Sequence, residues 1–400
     1  MPKHPLSLVV STVLQLQAQA RPFVQRIVIG MAATTAGLMV PSASLMAQRF
    51  DSLRSGLSPS ASSPHLLEVQ LGSGSQTGLP IHWSADYGLL LKPSGAMLEF
   101  NTEEVLAHRV LEQTFAPQSV TSARGVLQAE LGGAYETVAV GPYVLCTPQG
   151  HSQRWRERFR NLLAGYDRYF ETRGWQLRRP DFPLCVIVLA SHADFDRYCR
   201  QELGRSVPNL MGYYFPKSNR CVLYEVGGGT ASFDWSGTER TIVHEAVHQL
   251  AYNTGVHERL ADTPQWVVEG LATMFEEPAV FDARLASRSL EPRVNKVQLI
   301  ALKRLLEQPS TFEGQLSNLI QSNELFQRDT PAAYAISWGL TFYLAERMSR
   351  PYAEYSRRLA SLPKVQAYTP AERQRDFQRA FESDVSLLSV QIQRFYANLN

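Results

Sequence analysis

The sequence predicts an α+β fold, with a strand-rich part first and a mostly helical part last. Short apolar runs separated by glycine and proline dominate residues 65–146. From residue 151 the periodic segments are longer, and from about Val297 most apolar patterns have helical spacing. Because runs of strands followed by runs of helices are typical of α+β proteins, this order predicts the class.

The composition is that of a globular protein. The 400 residues are 44% hydrophobic and 19% charged, which allows one large domain or two smaller ones. The formal net charge is +2, from 39 Lys and Arg against 37 Asp and Glu. No basic block stands out, so composition supports neither a nucleic-acid partner nor an anionic membrane surface, and it favours no oligomeric state.

The four cysteines leave two alternatives open. None has the CxxC spacing of a zinc site. Outside the cytoplasm an even number permits two disulfides in three pairings. Cys185 lies in an apolar strand pattern and would equally suit a buried free thiol.

The first 47 residues have the pattern of a secretory signal peptide. Arg21 and Arg26 precede an apolar run over residues 27–40, and small residues follow. This order predicts a signal peptide over residues 1–47 and an exported protein, periplasmic, cell-surface or secreted. The run is short for a transmembrane helix, so an uncleaved signal anchor is the less favoured alternative. Residues 48–64 are rich in serine and predict a flexible linker.

Residues 65–140 are predicted to form a strand-rich N-terminal region. Apolar runs at residues 66–71, 89–91 and 97–100 lie between turn-forming glycines and prolines, which predicts strands. Residues 102–113 predict a helix. Nothing in this region resembles a reaction centre.

Residues 141–400 are predicted to form the main domain. Large apolar side chains recur at steps of three and four from Trp155 to Tyr169, which is one face of a helix. The continuous apolar run at residues 184–190 predicts a buried strand. Residues 220–226 predict a second strand, either internal or an edge against which an extended peptide lies.

Three Thr-Pro pairs mark predicted helix starts, at Thr263, Thr330 and Thr369. Threonine caps the first free amides of a helix, and proline fits the first helical position because its missing N–H would be unpaired there. These starts predict that the C-terminal third is mostly helical.

The strongest functional signal is His244-Glu245-Ala-Val-His248. Positions i and i+4 of a helix lie on one face, so both histidines can reach the same ion. Glu245 is then placed to act as general base on a zinc-bound water without being a ligand. The alternative is a pair of ordinary surface histidines on an amphipathic helix.

A catalytic zinc needs a third protein ligand and one open position. Glu269 is the candidate, because it lies inside the helix predicted to begin after Thr263. His257 lacks the glycine spacing of the HExxHxxGxxH pattern and is rejected as a ligand. The loop over residues 253–263 is predicted to bring the two helices side by side.

The HEAVH motif with its downstream Glu-x-x-Ala helix resembles the gluzincin clan of zinc metallopeptidases. More narrowly, from about residue 140 to the end, the chain resembles a family of exported bacterial gluzincin-like proteins catalogued as a domain of unknown function. The resemblance implies a gluzincin-like zincin domain. It implies Zn²⁺ ligation by His244, His248 and Glu269, with Glu245 as the catalytic base.

The chain departs from the thermolysin branch of that clan around the ligand glutamate. Thermolysin-like enzymes carry an Asn before it and a Ser-Asp after it, where this chain has Val268 and Ala272-Thr273. The carboxylate that orients a histidine must therefore come from elsewhere. Glu276, two helical turns beyond Glu269, is one candidate, but a solvated surface glutamate is the favoured interpretation of that residue.

Tyr334 is the second predicted catalytic residue. The segment around it looks like the helix that delivers a transition-state tyrosine in gluzincin aminopeptidases, where a phenol would stabilise an oxyanion. The alternative is a core tyrosine packed on Trp338 and Phe342. The glycines at residues 227–229 lack the Met-Glu-Asn of the aminopeptidase motif, so they predict a strand-ending turn and leave aminopeptidase specificity unsupported.

These features together predict zinc-dependent hydrolysis of peptide bonds in a peptide or protein substrate, with no nucleic acid and no membrane contact beyond export. A binding or scaffold protein on the same fold, with non-catalytic zinc, is the alternative from a different class. Zinc-dependent hydrolysis of another kind of bond is a third reading.

Overall fold

A computed structural model describes residues 65–207, 210–225, 236–287 and 289–399. The predicted signal peptide, the Ser-rich linker and the turn at residues 227–229 lie outside the described residues. Within the described ranges the chain is mixed α and β, with ten strands in two sheets and thirteen α-helices. No described helix has both the length and the apolar content needed to span a membrane.

The first sheet forms the strand-rich N-terminal region that the sequence predicts. Its order is β4-β3-β2-β1-β5, and every neighbouring pair is antiparallel. The strands are β1 (His65–Leu71), β2 (Gly74–Trp83), β3 (Gly88–Leu91), β4 (Met97–Phe100) and β5 (Ala107–Thr114). A small core of Leu67, Val69, Leu90 and Phe100 lies on one face.

The helix predicted over residues 102–113 is wrong. Only residues 102–104 form a short 3-10 turn, and β5 takes the rest of the segment. β5 pairs with β1, with Val110 opposite Leu67. The pairing partner is about forty residues distant in the chain, and such non-local hydrogen bonds override a weak local helical preference.

The second sheet has the order β6-β7-β8-β10-β9. Its strands are β6 (Tyr135–Val140), β7 (Tyr143–Pro148), β8 (Leu184–Leu189), β9 (Gly212–Phe215) and β10 (Arg220–Tyr224). The three central strands are parallel, and the two edge strands are antiparallel to their neighbours. The strand predicted at residues 220–226 is therefore internal, and β9 is the edge. Because β6 pairs with β7, this sheet crosses the predicted domain boundary at residue 140.

Helices cover both faces of the second sheet, which explains its continuous apolar strands. Alternate residues of a strand point to opposite faces. One set, including Val186 and Leu223, packs in the large core with α2 (Ser152–Glu171) and α4 (Ser236–Asn253). The other set, including Ile187 and Val222, packs against α1 (Val120–Leu131) and α3 (His192–Leu203).

The C-terminal part is helical, as predicted. Its elements are α5 (Gln265–Phe275), α6 (Pro278–Phe281), α7 (Lys296–Leu306), α8 (Pro309–Gln321), α9 (Leu325–Arg328), α10 (Thr330–Arg347), α11 (Ser349–Ala360), α12 (Pro370–Phe381) and α13 (Val385–Ala397). They continue the large core away from the sheet.

The Thr-Pro helix starts are only partly as predicted. Thr369 caps α12 in a full capping box. α10 is capped by Asp329 rather than by Thr330. At α5 the first amide, that of Gln265, donates to the side chain of Asn323, so a distant residue replaces the local cap.

All four cysteines are free thiols, so the disulfide alternative is wrong. Cys221 lies in the large core on one face of the sheet, while Cys146 and Cys199 lie in the core on the other face. Burial raises the pKa of Cys146 to about 12. These thiols act as small apolar side chains.

Candidate metal centre

Two buried helices carry the predicted metal ligands. α4 packs against β9, β10 and α5, and every residue of α5 is buried. α5 approaches α10 closely at Gly270, where an added Cβ would lie 2.2 Å from Thr341 Oγ1 and 2.5 Å from the carbonyl oxygen of Ser337. Glycine at this position lets the helices touch, and the neighbouring Glu269 is held with 0% exposure.

The structure brings the three predicted ligands, His244, His248 and Glu269, together. Glu269 Oε2 lies 3.3 Å from His244 Nε2 and 3.7 Å from His248 Nε2. Ligands bound about 2.0–2.1 Å from a tetrahedral zinc ion are separated by roughly 3.3–3.4 Å. The observed separations fit that geometry, and the three ligand atoms all lie within 4.8 Å of one another.

Two buried atoms of this group have no hydrogen-bond partner among the described residues. They are His248 Nε2 and Glu269 Oε1. An unsatisfied buried polar atom costs about 1–3 kcal/mol, and more when it is charged. A cation between the three side chains would satisfy His248 Nε2, so the donor set fits a divalent ion with affinity for imidazole and carboxylate.

The electrostatics of the ligands also suit a cation. Burial lowers the pKa of His248 to about 3, so its ring is neutral at pH 7. Burial by itself would raise the pKa of Glu269, but His248, His244 and the Tyr334 hydroxyl together lower it to about 2. Burial opposes protonation of His244, yet its hydrogen bonds with Glu269 and Glu276 raise its pKa. A proton and a metal cation would therefore compete for the same nitrogen, His244 Nε2.

Glu276 orients His244. Its Oε1 lies 2.9 Å from His244 Nδ1, and its Oε2 accepts a hydrogen bond from Asn295 Nδ2 at 3.1 Å. A carboxylate on Nδ1 fixes the ring so that Nε2 faces Glu269 and the predicted metal position. Glu276 therefore has the contact expected of the orienting carboxylate, and the alternative of a solvated surface glutamate is wrong.

Asn295 is a contributor that the sequence reasoning missed. Besides contacting Glu276, it caps α7 by accepting from the amide of Gln298. An asparagine just before a helix is a recognisable cap signal. Nothing in the sequence connects that cap with a histidine some fifty residues earlier, so only the fold reveals the second contact.

Glu245 is buried beside the ligands and is held by the edge strand β9. Its Oε2 accepts a hydrogen bond from the backbone N–H of Tyr214 at 2.8 Å. Burial raises the pKa of Glu245 to about 7, although His244 and the Tyr214 amide oppose the rise. A carboxyl group with a pKa near neutrality can both accept and donate a proton at physiological pH.

A buried amide network fixes β9 and β10 against α4. Gln249 donates to the carbonyl oxygen of Asn219 at 2.8 Å, and the side-chain amides of Asn219 and Asn253 hydrogen-bond to each other. Asn219 adopts a left-handed conformation with φ of 60°, which asparagine tolerates better than most residues. The network therefore sets the distance between Tyr214 and Glu245.

Tyr334 reaches the centre through its hydroxyl, which donates to Glu269 Oε2 at 2.7 Å. Its ring lies near those of Phe326 and His244, while Trp338 and Phe342 stack on each other. Tyr334 is also buried in the same core cluster as Trp338 and Phe342, so the core-tyrosine alternative stays open. In this geometry the phenol contacts the carboxylate of the predicted ligand Glu269, and its role toward an oxyanion stays a prediction.

The region that carries this centre was compared with known protein families. Residues 239–365 match the sequence model of a family described as "Protein of unknown function (DUF1570)". That stretch resembles a domain of unknown function. The match includes α4, α5 and Tyr334, and it confirms that part of the predicted resemblance; the gluzincin relationship stays a prediction. No curated protein matches the chain.

Among solved structures, one similar chain is described as a functionally unknown conserved protein mutant from Bacillus anthracis str. Ames. The two share 8% sequence identity, with a TM-score of 0.36, over 83% of this chain and 68% of the other.

Proposed function

We propose that the protein is a zinc-dependent peptidase in which His244, His248 and Glu269 hold the metal and Glu245 is the general base. The observation that carries this proposal is the convergence of three buried ligand atoms at separations that fit a tetrahedral ion. A buried carboxyl group beside them, with a raised pKa, suits proton transfer.

A zinc ion bound here would lower the pKa of a water molecule and polarise the carbonyl under attack. Glu245 accepts the proton from the attacking water and returns it to the departing amine. The Tyr214 amide holds Glu245 during both transfers. Glu276 keeps His244 oriented, and Tyr334 keeps Glu269 oriented.

The edge strand β9 supplies a place for a peptide substrate. Among the strands that the structure describes, β9 pairs with β10 alone, and the amide of Tyr214 is directed to Glu245. An extended peptide that adds to such an edge gains backbone hydrogen bonds that do not depend on its sequence. It would run past Glu245, which is the placement that hydrolysis requires.

Export belongs to the same proposal. It rests on the charged start, apolar run and small-residue exit within residues 1–47. An exported gluzincin-like enzyme would act on peptides or proteins outside the cytoplasm.

Metal analysis combined with cleavage of a quenched peptide library tests the proposal. We expect one zinc per wild-type chain and measurable cleavage. Glu245→Gln should keep the zinc and lose at least about a hundredfold in rate, because general acid–base catalysis contributes about that much or more. A metal-free wild type, or full activity in Glu245→Gln, would refute it. Zinc without cleavage in the wild type would favour the binding or scaffold alternative.

A further inference from the structure

A second cavity, distinct from the metal centre, lies beside α2. Its volume is about 350 Å³, and its walls come from α2, from α6 and the segment after it, and from Arg293. Three arginines line it, Arg168, Arg173 and Arg293, and its described lining includes no carboxylate. It shares no lining residue with the metal centre.

The described side chains around this cavity carry more positive than negative charge. Arg293 is 9% exposed and contacts both carboxylate oxygens of Glu346, at 2.5 and 2.8 Å. Arg173 donates to the same carboxylate at 3.1 Å. Arg168 donates to the carbonyl oxygen of Ala283, which is neutral. Among the described lining residues and the ion pairs given for them, three guanidinium groups therefore face one carboxylate.

Two of these guanidinium groups are fixed in place. Arg293 is held by its two-point contact with Glu346, and the guanidinium of Arg173 lies 3.8 Å above the ring of Tyr169. A guanidinium whose position is already fixed loses little entropy when it binds a carboxylate or phosphate. Ala279 and Val280 form an apolar wall in the same cavity. The cavity thus combines positive charge with space for the apolar part of a small ligand.

We propose that this cavity binds a small molecule bearing a carboxylate or phosphate group, with Arg168 and Arg173 as its principal contacts. The oxyanion would offset the excess positive charge through charge-assisted hydrogen bonds. The site is independent of the proposed peptidase function, since binding here requires neither zinc nor Glu245.

Calorimetric titration of the purified protein with inorganic phosphate tests the proposal, with acetate in a second arm and sodium chloride holding the ionic strength constant. We expect saturable binding in at least one arm. Arg168→Gln and Arg173→Gln should each raise the dissociation constant roughly tenfold, the usual cost of losing a hydrogen bond to a charged group. Arg350→Gln removes an exposed arginine of α11 and should change nothing.

Ala286→Phe provides a test that leaves the charge unchanged. Ala286 lines the cavity and is half-buried, so a larger side chain there should weaken binding by filling the space. Phosphate binding alone, acetate binding alone, or both, would identify the preferred oxyanion. The proposal would be overturned if phosphate and acetate gave the wild-type protein no more heat than a titration with sodium chloride. Equal affinity in wild type, Arg168→Gln and Ala286→Phe would also overturn it.

Discussion

Glu225 and Glu269 are both almost fully buried carboxylates, yet their surroundings differ. Glu225, at the end of β10, accepts from His151, Arg154 and Trp155, at 2.6 to 2.9 Å. Glu269 has one oxygen turned toward two histidines and the other without a partner among the described residues. A buried carboxylate with partners on both oxygens is costly to break, whereas a buried carboxylate oxygen without a partner leaves a polar atom for a ligand to satisfy.

The largest expected effect on zinc affinity comes from neutralising Glu269. Glu269→Gln should weaken zinc binding roughly a thousandfold, because it removes the anion from a buried group of opposite charges. Competition with a chromogenic chelator measures this affinity. If Glu269→Gln bound zinc as tightly as the wild type, the contrast between the two carboxylates would fail.

Glu276→Gln tests whether the carboxylate behind His244 contributes to the centre. Removing such an orienting partner typically lowers metal affinity 10- to 100-fold. We expect a loss in that range by the same chelator assay. Glu354→Gln, which removes an exposed carboxylate from a surface pair, is the matched control and should leave affinity unchanged.

Zinc affinity should fall as the pH falls. His248 and Glu269 have lowered pKa values, about 3 and about 2, so neither takes up a proton between pH 5 and 8. The pKa of His244 is raised, so in this range a proton competes with zinc for that one ring. One competing proton gives about a tenfold loss of affinity per pH unit. A slope near zero would contradict the assignment of His244 as a ligand.

Glu225→Gln should have the smallest effect on zinc affinity, but it should clearly lower the free energy of unfolding. Losing a buried partner of Arg154 should cost about 2–3 kcal/mol of unfolding free energy, reduced from the fully buried case because Arg154 is 31% exposed. Chemical denaturation measures it, and zinc affinity should stay within about threefold of the wild type. If Glu225→Gln lost much of its zinc affinity while its unfolding free energy stayed unchanged, Glu225 rather than the fold around it would belong to the metal centre, and the contrast with Glu269 would be wrong.

Local patterns predicted most of the elements that form the site. The helix holding His244 and His248 was predicted from its motif, the strand at residues 184–190 from a continuous apolar run, and the helix holding Glu269 from its Thr-Pro start, and each of these signals lies within a short window. The failed helix at residues 102–113 shows the limit of such patterns, since its partner strand β1 lies about forty residues away.

The sequence by itself determined the spacing of His244 and His248, because one helical turn places them on the same face, and it placed Glu245 next to the first of them. The tertiary structure alone decided which distant groups complete the centre. Glu276 and Asn295 reach His244, the amide of Tyr214 reaches Glu245, and Tyr334 reaches Glu269. These contacts depend on how packed helices and an edge strand are positioned, and side-chain volumes throughout the core set those positions.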